Sequence, residues 1–291
     1  MTDLKMMLLC TNVNFRKWDV NPRVYTLAVA IIAFLAYHSF GLSQFAADKG
    51  VGITPWIFPH LTTPPVMQVF ACLTVLLFCD APFTDKHMPF LVVRTGRRNW
   101  VIGQLLYIIL ASFIYTAFIC VVSIVVLIPN VQFAGDWGIL LNSMGADPRM
   151  APSNVTVFVN GEIVTMFSAI EAMLISFGLF WLVSVFIGVL IFFFNIWIEK
   201  MSGIIAAGVF IFLSFFSMNH GRLLLGDWLL YITPVSWMNM SSVNFNYSEM
   251  AAILPSPTYV VISLFGAIVV MGSISVFVFC KKDMNFQARG Y

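Results

Sequence analysis

Apolar residues along the chain gather into six long runs that polar connections separate. The runs cover about residues 24–42, 63–79, 98–128, 165–195, 203–218 and 258–280. A helix needs roughly 20 mostly apolar residues to cross the hydrocarbon core of a bilayer. The fifth run is short, whereas the third and fourth are long enough to tilt. The pattern therefore predicts an all-α integral membrane protein with six transmembrane helices in a single domain, residues 1–291.

The composition agrees with lipid as the main solvent of this chain. Hydrophobic residues make up 60% of the sequence and charged residues 10%, whereas a soluble domain carries about a quarter charged residues. One aqueous core could not bury so many apolar side chains. A water-soluble globular protein is therefore excluded.

Lysine and arginine are distributed unequally between the two sides of the predicted bundle. If the N-terminus lies inside, 12 of the 15 basic residues fall in inner segments and 3 in outer segments. Inner segments of membrane proteins carry the excess of positive charge. We therefore expect a multi-pass protein of the cytoplasmic (plasma) membrane with both termini in the cytoplasm.

The segments outside the runs also carry structural signals. Residues 1–21 place most of their large apolar side chains near one helical face, which predicts a helix lying in the inner interface against membrane lipids. Residues 129–164 and 219–257 form the outer segments. The second of these is too apolar for an aqueous loop and too broken for a span, so it predicts short helices in the outer leaflet before the last span.

The first inner loop, residues 80–97, has an unusual order of polar and apolar positions. Six of the 28 charged residues lie in the short stretch 79–100. Thr84 with Asp85 can cap a short helix that Pro89 limits, an apolar run follows, and Thr95 can cap the next long helix. The loop predicts a docking helix for a soluble partner; alternatively, its arginines only hold the inner position and touch lipid phosphates.

Motifs for intrinsic chemistry are missing from the sequence. There is no P-loop, no G-x-G-x-x-G and no H-E-x-x-H pattern, and the four histidines are scattered. We therefore expect no catalytic, metal or cofactor site on this chain and no nucleic-acid partner. Glu171 is the one ionisable residue of interest within the runs, near an outer end. It is either an interfacial carboxylate or a polar site at the mouth of a pathway, which leaves a stand-alone secondary carrier or channel as an alternative function.

The inner loop resembles a known family. The pattern D-x-P-F-T-D-x-x-x-P-F-L-V-V-R-T-G-R-R-N-W-x-x-G-Q, from Asp80 to Gln104, is similar to the first cytoplasmic loop of bacterial type-2 ABC transporter permeases. The six-span plan with an interfacial N-terminal helix resembles the same class. So does the broken segment YITPVSWMN, from Tyr231 to Asn239. The resemblance covers the whole chain in layout, and these two segments at residue level.

The resemblance implies a transport subunit rather than an enzyme. The loop would be the coupling helix that docks on a separate ABC-type ATP-binding subunit, which would bind ATP and Mg. The permease would pair with a second copy of itself or a paralogue. Expected contacts to the ATPase are Thr84, Asp85, Lys86, His87 and Met88. Three arginines would anchor the loop to headgroups, to the ATPase or to Asp80, namely Arg94, Arg97 and Arg98.

The resemblance also implies a substrate path along the dimer interface, lined by spans two and five. The candidate lining residues are apolar and comprise Phe78, Phe210, Phe212, Phe215, Phe216 and Met218. Such a path favours export of an amphipathic or hydrophobic substrate such as a peptide, lipid or drug. The chain lacks the large outer domains that some subgroups of the family carry, so the sequence leaves the substrate open.

Overall fold

The computed structural model describes residues 3–83, 88–245 and 254–281, and it is all-helical over these ranges apart from one isolated β-bridge between Ile53 and Val131. The helices are α1 (Asp3–Arg16), α2 (Pro22–Lys49), α3 (Phe58–Leu61), α4 (Val66–Phe78), α5 (Met88–Thr95), α6 (Arg97–Val125), α7 (Gly138–Ala146), α8 (Gly161–Met166), α9 (Ala169–Trp197), α10 (Ser202–Phe216), α11 (Arg222–Leu225) and α12 (Pro257–Lys281). The all-α prediction is confirmed.

Five helical segments of the described chain are long and apolar enough to cross a membrane: α2, α6, α9, α12 and the stretch Ser202–Leu225. The last of these joins α10 to α11 through a π-helical turn, Ser217–Gly221. The chain is therefore a multi-pass membrane protein. The second predicted span corresponds to α4, whose 13 residues are fewer than a membrane-spanning helix requires by length alone.

Helix α9 lies at the centre of the bundle and packs against α4, α6, α10 and α12. Its sequence is apolar almost all round, as expected for a helix that is enclosed by others. Gly188 of α9 allows the closest approach, because a Cβ atom there would lie 2.6 Å from Ile108 and 2.9 Å from the Phe78 ring. Large side chains of α4 and α6 thus fill the space that this glycine leaves.

One end of the bundle, which we call the basic end, brings together the beginnings of α2 and α6 and the ends of α4, α9 and α12. Arg23 forms an ion pair with Asp80, and Asn195 Nδ2 donates to the Ala81 carbonyl at 2.7 Å. The Asn195 side chain also accepts a hydrogen bond from the Gly203 backbone N–H at 2.8 Å. One amide therefore connects the ends of α4 and α9 to the start of α10.

The opposite end, which we call the loop end, is covered by the connections between the helices. Asn130 Nδ2 donates to the Ser43 carbonyl at 3.0 Å, and Thr156 Oγ1 donates to the His38 carbonyl at 2.7 Å. Before α12, three short 3-10 turns follow one another, Asp227–Tyr231, Pro234–Met238 and Met240–Ser242. The segment before α12 is therefore helical only in short pieces.

The N-terminal helix α1 packs on the first half of α6 as well as presenting an apolar face. Thr11 Oγ1 donates to the Gly103 carbonyl at 2.9 Å, and Asn14 Nδ2 donates to Gln104 Oε1 at 2.7 Å. Leu4 remains 64% exposed. The buried residues Cys10, Thr11 and Asn14 therefore lie on the face of α1 that packs against α6.

Candidate functional site

Only part of the predicted coupling loop lies within the described residues. Thr84, Asp85, Lys86 and His87 lie outside the described residues. The helix that the structure describes is α5, which begins at Met88 and contains Pro89 in its first turn. Proline fits there because a first-turn N–H has no partner within the helix. The predicted cap at Thr84 and Asp85 falls outside the described residues, and the helix that is described contains Pro89 and the apolar run.

Helix α5 has one buried and one exposed apolar face. Val92 is only 3% exposed, whereas Phe90 is 77% and Val93 is 83% exposed. The helix contacts α6 and α1. Because α5 is only eight residues long, it is too short to cross a membrane and presents two bare apolar side chains at the basic end.

The junction between α5 and α6 is formed by Gly96 rather than by a Thr95 cap. The Thr95 hydroxyl donates back to the Leu91 carbonyl at 2.8 Å, and no side chain caps α6. Gly96 has a φ of +83°, a backbone conformation that favours glycine. The prediction that Thr95 caps the third long helix is wrong, because Thr95 closes the last turn of α5.

The three predicted anchoring arginines have different environments. Arg94 and Arg98 are exposed. Arg97 Nη1 donates to the Cys280 carbonyl at 3.1 Å, in the last turn of α12. Asp80 forms its ion pair with Arg23 of α2 rather than with one of these arginines. Arg97 therefore connects the basic loop to α12, and Asp80 connects the end of α4 to α2.

The beginning of α6 also contacts the first and last helices through other side chains. Trp100 stacks on Phe279 with ring centroids 4.9 Å apart. Asn99 Nδ2 donates to Asp3 Oδ1 at 3.0 Å. Burial raises the pKa of the Cys10 thiol of α1, which lies beside the Thr95 side chain. Helix α5 therefore contacts α1 and α6, and the beginning of α6 contacts α12.

The predicted lining residues of a substrate path do not share one surface. Phe78 is fully buried and packs against α6 and α9. Phe210 is half-buried and meets the Phe186 ring edge to face at 5.7 Å. Phe212 is 65% exposed and Phe215 is 44% exposed. Phe78 therefore belongs to the core of the bundle, and two phenyl groups of α10 face outwards.

The remaining two candidates lie near the end of α10. Phe216 is half-buried beside Gly221. Met218 is also half-buried, and its Sδ lies 4.0 Å from Ser242 Oγ in the loop-end turns. These residues connect α10 to the broken segment before α12, rather than extending the exposed face of Phe212 and Phe215.

Glu171 is part of a helix cap. Ser168 Oγ accepts from the Glu171 backbone N–H at 3.4 Å, and Glu171 Oε2 accepts from the Ser168 backbone N–H at 3.1 Å. This reciprocal pair is a capping box at the start of α9. The carboxylate is fully exposed. Its geometry gives it a structural role at the loop end.

Two features of the basic end were missed from the sequence. One is Asn195, a single polar residue in a long apolar run, whose amide joins three helix ends. The other is a pair of adjoining cavities between the end of α1, α2, α4 and α6. An asparagine within an apolar span signals a buried hydrogen bond, but its partners are distant in sequence. The cavities have no linear signature.

The chain was compared with known protein families, curated proteins and solved structures. No family model, curated protein or solved structure matches the chain. Within the described ranges, no three His, Cys, Asp or Glu side chains gather into a group that could hold a metal ion.

Proposed function

We propose that this chain is the transmembrane subunit of an ATP-driven ABC transporter of the type-2 permease class. A separate subunit hydrolyses ATP and docks on the first inner loop. The observation that supports this most directly is α5, a short helix at the basic end with Phe90 and Val93 exposed. Exposed large apolar side chains next to a charged segment are typical of a protein-docking surface.

The connections of α5 support a coupling role for that docking surface. Val92 lies on the buried face of α5, and Gly96 joins α5 directly to α6. The first turn of α6 is in turn bound to α12 through Arg97. A partner that moves α5 would move the ends of two membrane-spanning helices, which is what a nucleotide-driven change of conformation requires.

The proposal includes six spans, with α4 as the second. Contacts at its two ends favour this, because Asp80 follows α4 at the basic end and His60 precedes it at the loop end. His60 Nδ1 accepts from the Asn160 backbone N–H there at 3.4 Å. With the flanking residues 63–65 and Cys79, the segment reaches 17 residues, the lower limit for a span. The basic end then faces the cytoplasm.

The outward face of α10 supports pairing with a second permease copy or paralogue. Ile205, Val209 and Phe212 are 70%, 51% and 65% exposed at helical spacing. We propose that this face lines the dimer interface and that an amphipathic or hydrophobic substrate passes along it during export. Phe78, being fully buried, has no part in that path.

Affinity purification of the tagged chain from its native membranes tests the proposal. We expect an ATP-binding-cassette protein to be retained, and the purified complex to hydrolyse ATP. Two double variants should each lose the partner: Asp85→Lys with Lys86→Glu, and Phe90→Ser with Val93→Ser. The matched control is Leu223→Ser with Leu224→Ser, because these leucines are 89% and 71% exposed on α11 at the other end.

Normal retention of the ATPase by both double variants would show that α5 and its loop are not the docking site. Loss of the ATPase in the α11 control as well would point to a general loss of folding. The stand-alone carrier makes a different prediction. It requires ion-driven flux from the purified chain in liposomes and its loss in Glu171→Gln. We expect no such flux, since Glu171 caps α9.

A further inference from the structure

The larger of the two cavities near the basic end has a volume of about 180 Å³ and lies between α2, α4 and α6. Helix α2 lines it with four side chains between Val24 and Ile31, α4 with Leu77, and α6 with three side chains between Ile114 and Phe118. Val24 and Ile31 are seven residues apart, which corresponds to about 10 Å along a helix axis. The cavity therefore follows α2 for about two helical turns.

The lining of this cavity, all of it in the described part of the chain, exposes only apolar atoms. Two lining side chains carry a polar atom, and both of these atoms are bonded elsewhere. Trp18 Nε1 donates to Tyr107 Oη at 2.7 Å, and Tyr115 Oη donates to the Phe70 carbonyl at 2.8 Å. A charged or hydrogen-bonding group would lose its water here without gaining a partner. The cavity therefore suits hydrocarbon alone.

The cavity has a buried floor and an exposed edge. Ile31 and Tyr115 are buried at the floor, whereas Ile114 is 43% exposed at the edge. Helices α2 and α6 are both long and apolar enough to cross a membrane, so the edge between them faces the hydrocarbon core. Helix α10, whose outward face we propose to pair with a second copy, contributes no lining residue. Lipid, rather than a second copy, therefore meets the open edge.

The size of the cavity limits what can occupy it. Apolar cavities of about 150 Å³ in proteins stay dry and admit a benzene molecule, and this cavity of about 180 Å³ is comparable. It can hold a short stretch of hydrocarbon chain, whereas the fused rings of a sterol exceed it. If it were empty, the lining atoms would lack dispersion contacts on one side. The entry of a hydrocarbon chain from the bilayer restores those contacts.

We propose that this cavity binds one acyl chain of a membrane lipid. The acyl chain enters past Ile114 from the surrounding bilayer and lies along α2 from Val24 to Ile31. It supplies the packing between α2 and α6 that the side chains of the protein leave out. Because the site offers no polar contact, it binds the acyl chain whatever the headgroup of the lipid. The proposal rests on the membrane placement of the protein and not on an ATP-binding partner.

Photo-crosslinking of the purified full chain in lipid vesicles tests the site. The vesicles are phosphatidylcholine with a small share of phosphatidylcholine that carries a diazirine in one acyl chain, and peptide mass spectrometry locates the labelled residues after irradiation. Leu27 and Ile31 should be labelled, because an acyl chain reaches these buried side chains only from within the cavity. The matched control is Leu35, which is buried on the same helix but does not line the cavity. It should stay unlabelled.

Two substitutions on α2 test whether the cavity itself admits the acyl chain. Ala28→Phe places a phenyl group in the cavity and should abolish the labelling of Leu27 and Ile31. Ala33→Phe, at an exposed position outside the cavity, should leave that labelling unchanged. A phosphatidylglycerol probe with the same acyl chain should label the unchanged protein as strongly as the phosphatidylcholine probe does.

Three results would overturn the proposal. The first is labelling of Leu27 and Ile31 that is no stronger than that of Leu35 in the unchanged protein, and this comparison decides even if Ala28→Phe does not fold. The second is undiminished labelling in a folded Ala28→Phe variant. The third is a clear preference for the phosphatidylglycerol probe, which would assign recognition to the headgroup instead of the hydrocarbon chain.

Discussion

Arg97, in the first turn of α6, donates a hydrogen bond to the backbone carbonyl of Cys280, in the last turn of α12. The two residues are 183 positions apart in the chain. The carbonyls at the end of a helix have no partner within it and carry partial negative charge. A guanidinium is therefore well suited to this place, although it is unfavourable at the start of its own helix.

Arg97→Gln should lower the stability of the folded chain by about 1 kcal/mol, because a charged hydrogen bond to α12 is lost. Thermal unfolding in detergent, followed by tryptophan fluorescence, measures the change. Arg98→Gln removes the same charge from an exposed neighbour and should lie within about 0.5 kcal/mol of the unchanged chain. Equal effects of the two substitutions would show that charge, and not the contact with Cys280, matters.

Asn195→Ala should destabilise the chain more strongly. Asn195 is 8% exposed, and its removal leaves the Ala81 carbonyl and the Gly203 N–H without this partner in a buried place. Two such groups cost about 2 to 6 kcal/mol. Chemical unfolding of the purified chain measures the loss. Asn12→Ala, at an exposed position of α1, is the control, and a similar loss there would contradict the explanation.

The comparison of sequence with structure shows which features depend on local pattern. Long apolar runs predict α2, α6, α9 and α12 because each run alone has the length and hydropathy of a span, whereas α10 reaches that length only together with α11. The caps are less predictable. Ser168 and Glu171 form a cap with the spacing of a known motif, whereas the position of Thr95 is compatible with the end of α5 as well as with the start of α6. The partners of Arg97 and Asn195 are set by packing between distant segments.

Gly103→Ala should loosen α1 from α6. A Cβ atom at Gly103 would lie 2.5 Å from Cys10 Cβ and 2.9 Å from the Met7 carbonyl, and both belong to α1. We expect faster alkylation of Cys10 by N-ethylmaleimide, quantified by peptide mass spectrometry relative to the exposed Cys72. Gly208→Ala is the control, because nothing lies within 4 Å of a Cβ there. An unchanged rate in Gly103→Ala would mean that α1 is held elsewhere.

Acid should destabilise the loop end through His60. Burial lowers the pKa of His60 to about 4, whereas the unfolded chain titrates near 6.5. Between these values the unfolded state binds more protons, so stability is full above about pH 6.5 and falls as the pH drops towards 4. Unfolding measured at pH 7.5 and 5 should differ by about 2 kcal/mol.

The control for this pH dependence is a pair of histidine substitutions. His60→Gln should remove most of the difference between the two pH values, because no titrating group remains at that place. His220→Gln changes an exposed histidine and should keep the full difference. A pH dependence that persists in His60→Gln would assign the effect to other groups.

The π-helical turn Ser217–Gly221 is the place where the segment from α10 to α11 can lose one residue without a change in the orientation of its two parts. A π-turn holds one residue more than the α-helix around it, so losing Asn219, an exposed position in it, would close the turn without rotating either side. Loss of a residue within Ser202–Phe216 would instead rotate one part of the helix against the other by about 100°. Related sequences should therefore tolerate a deletion in the turn but not before it.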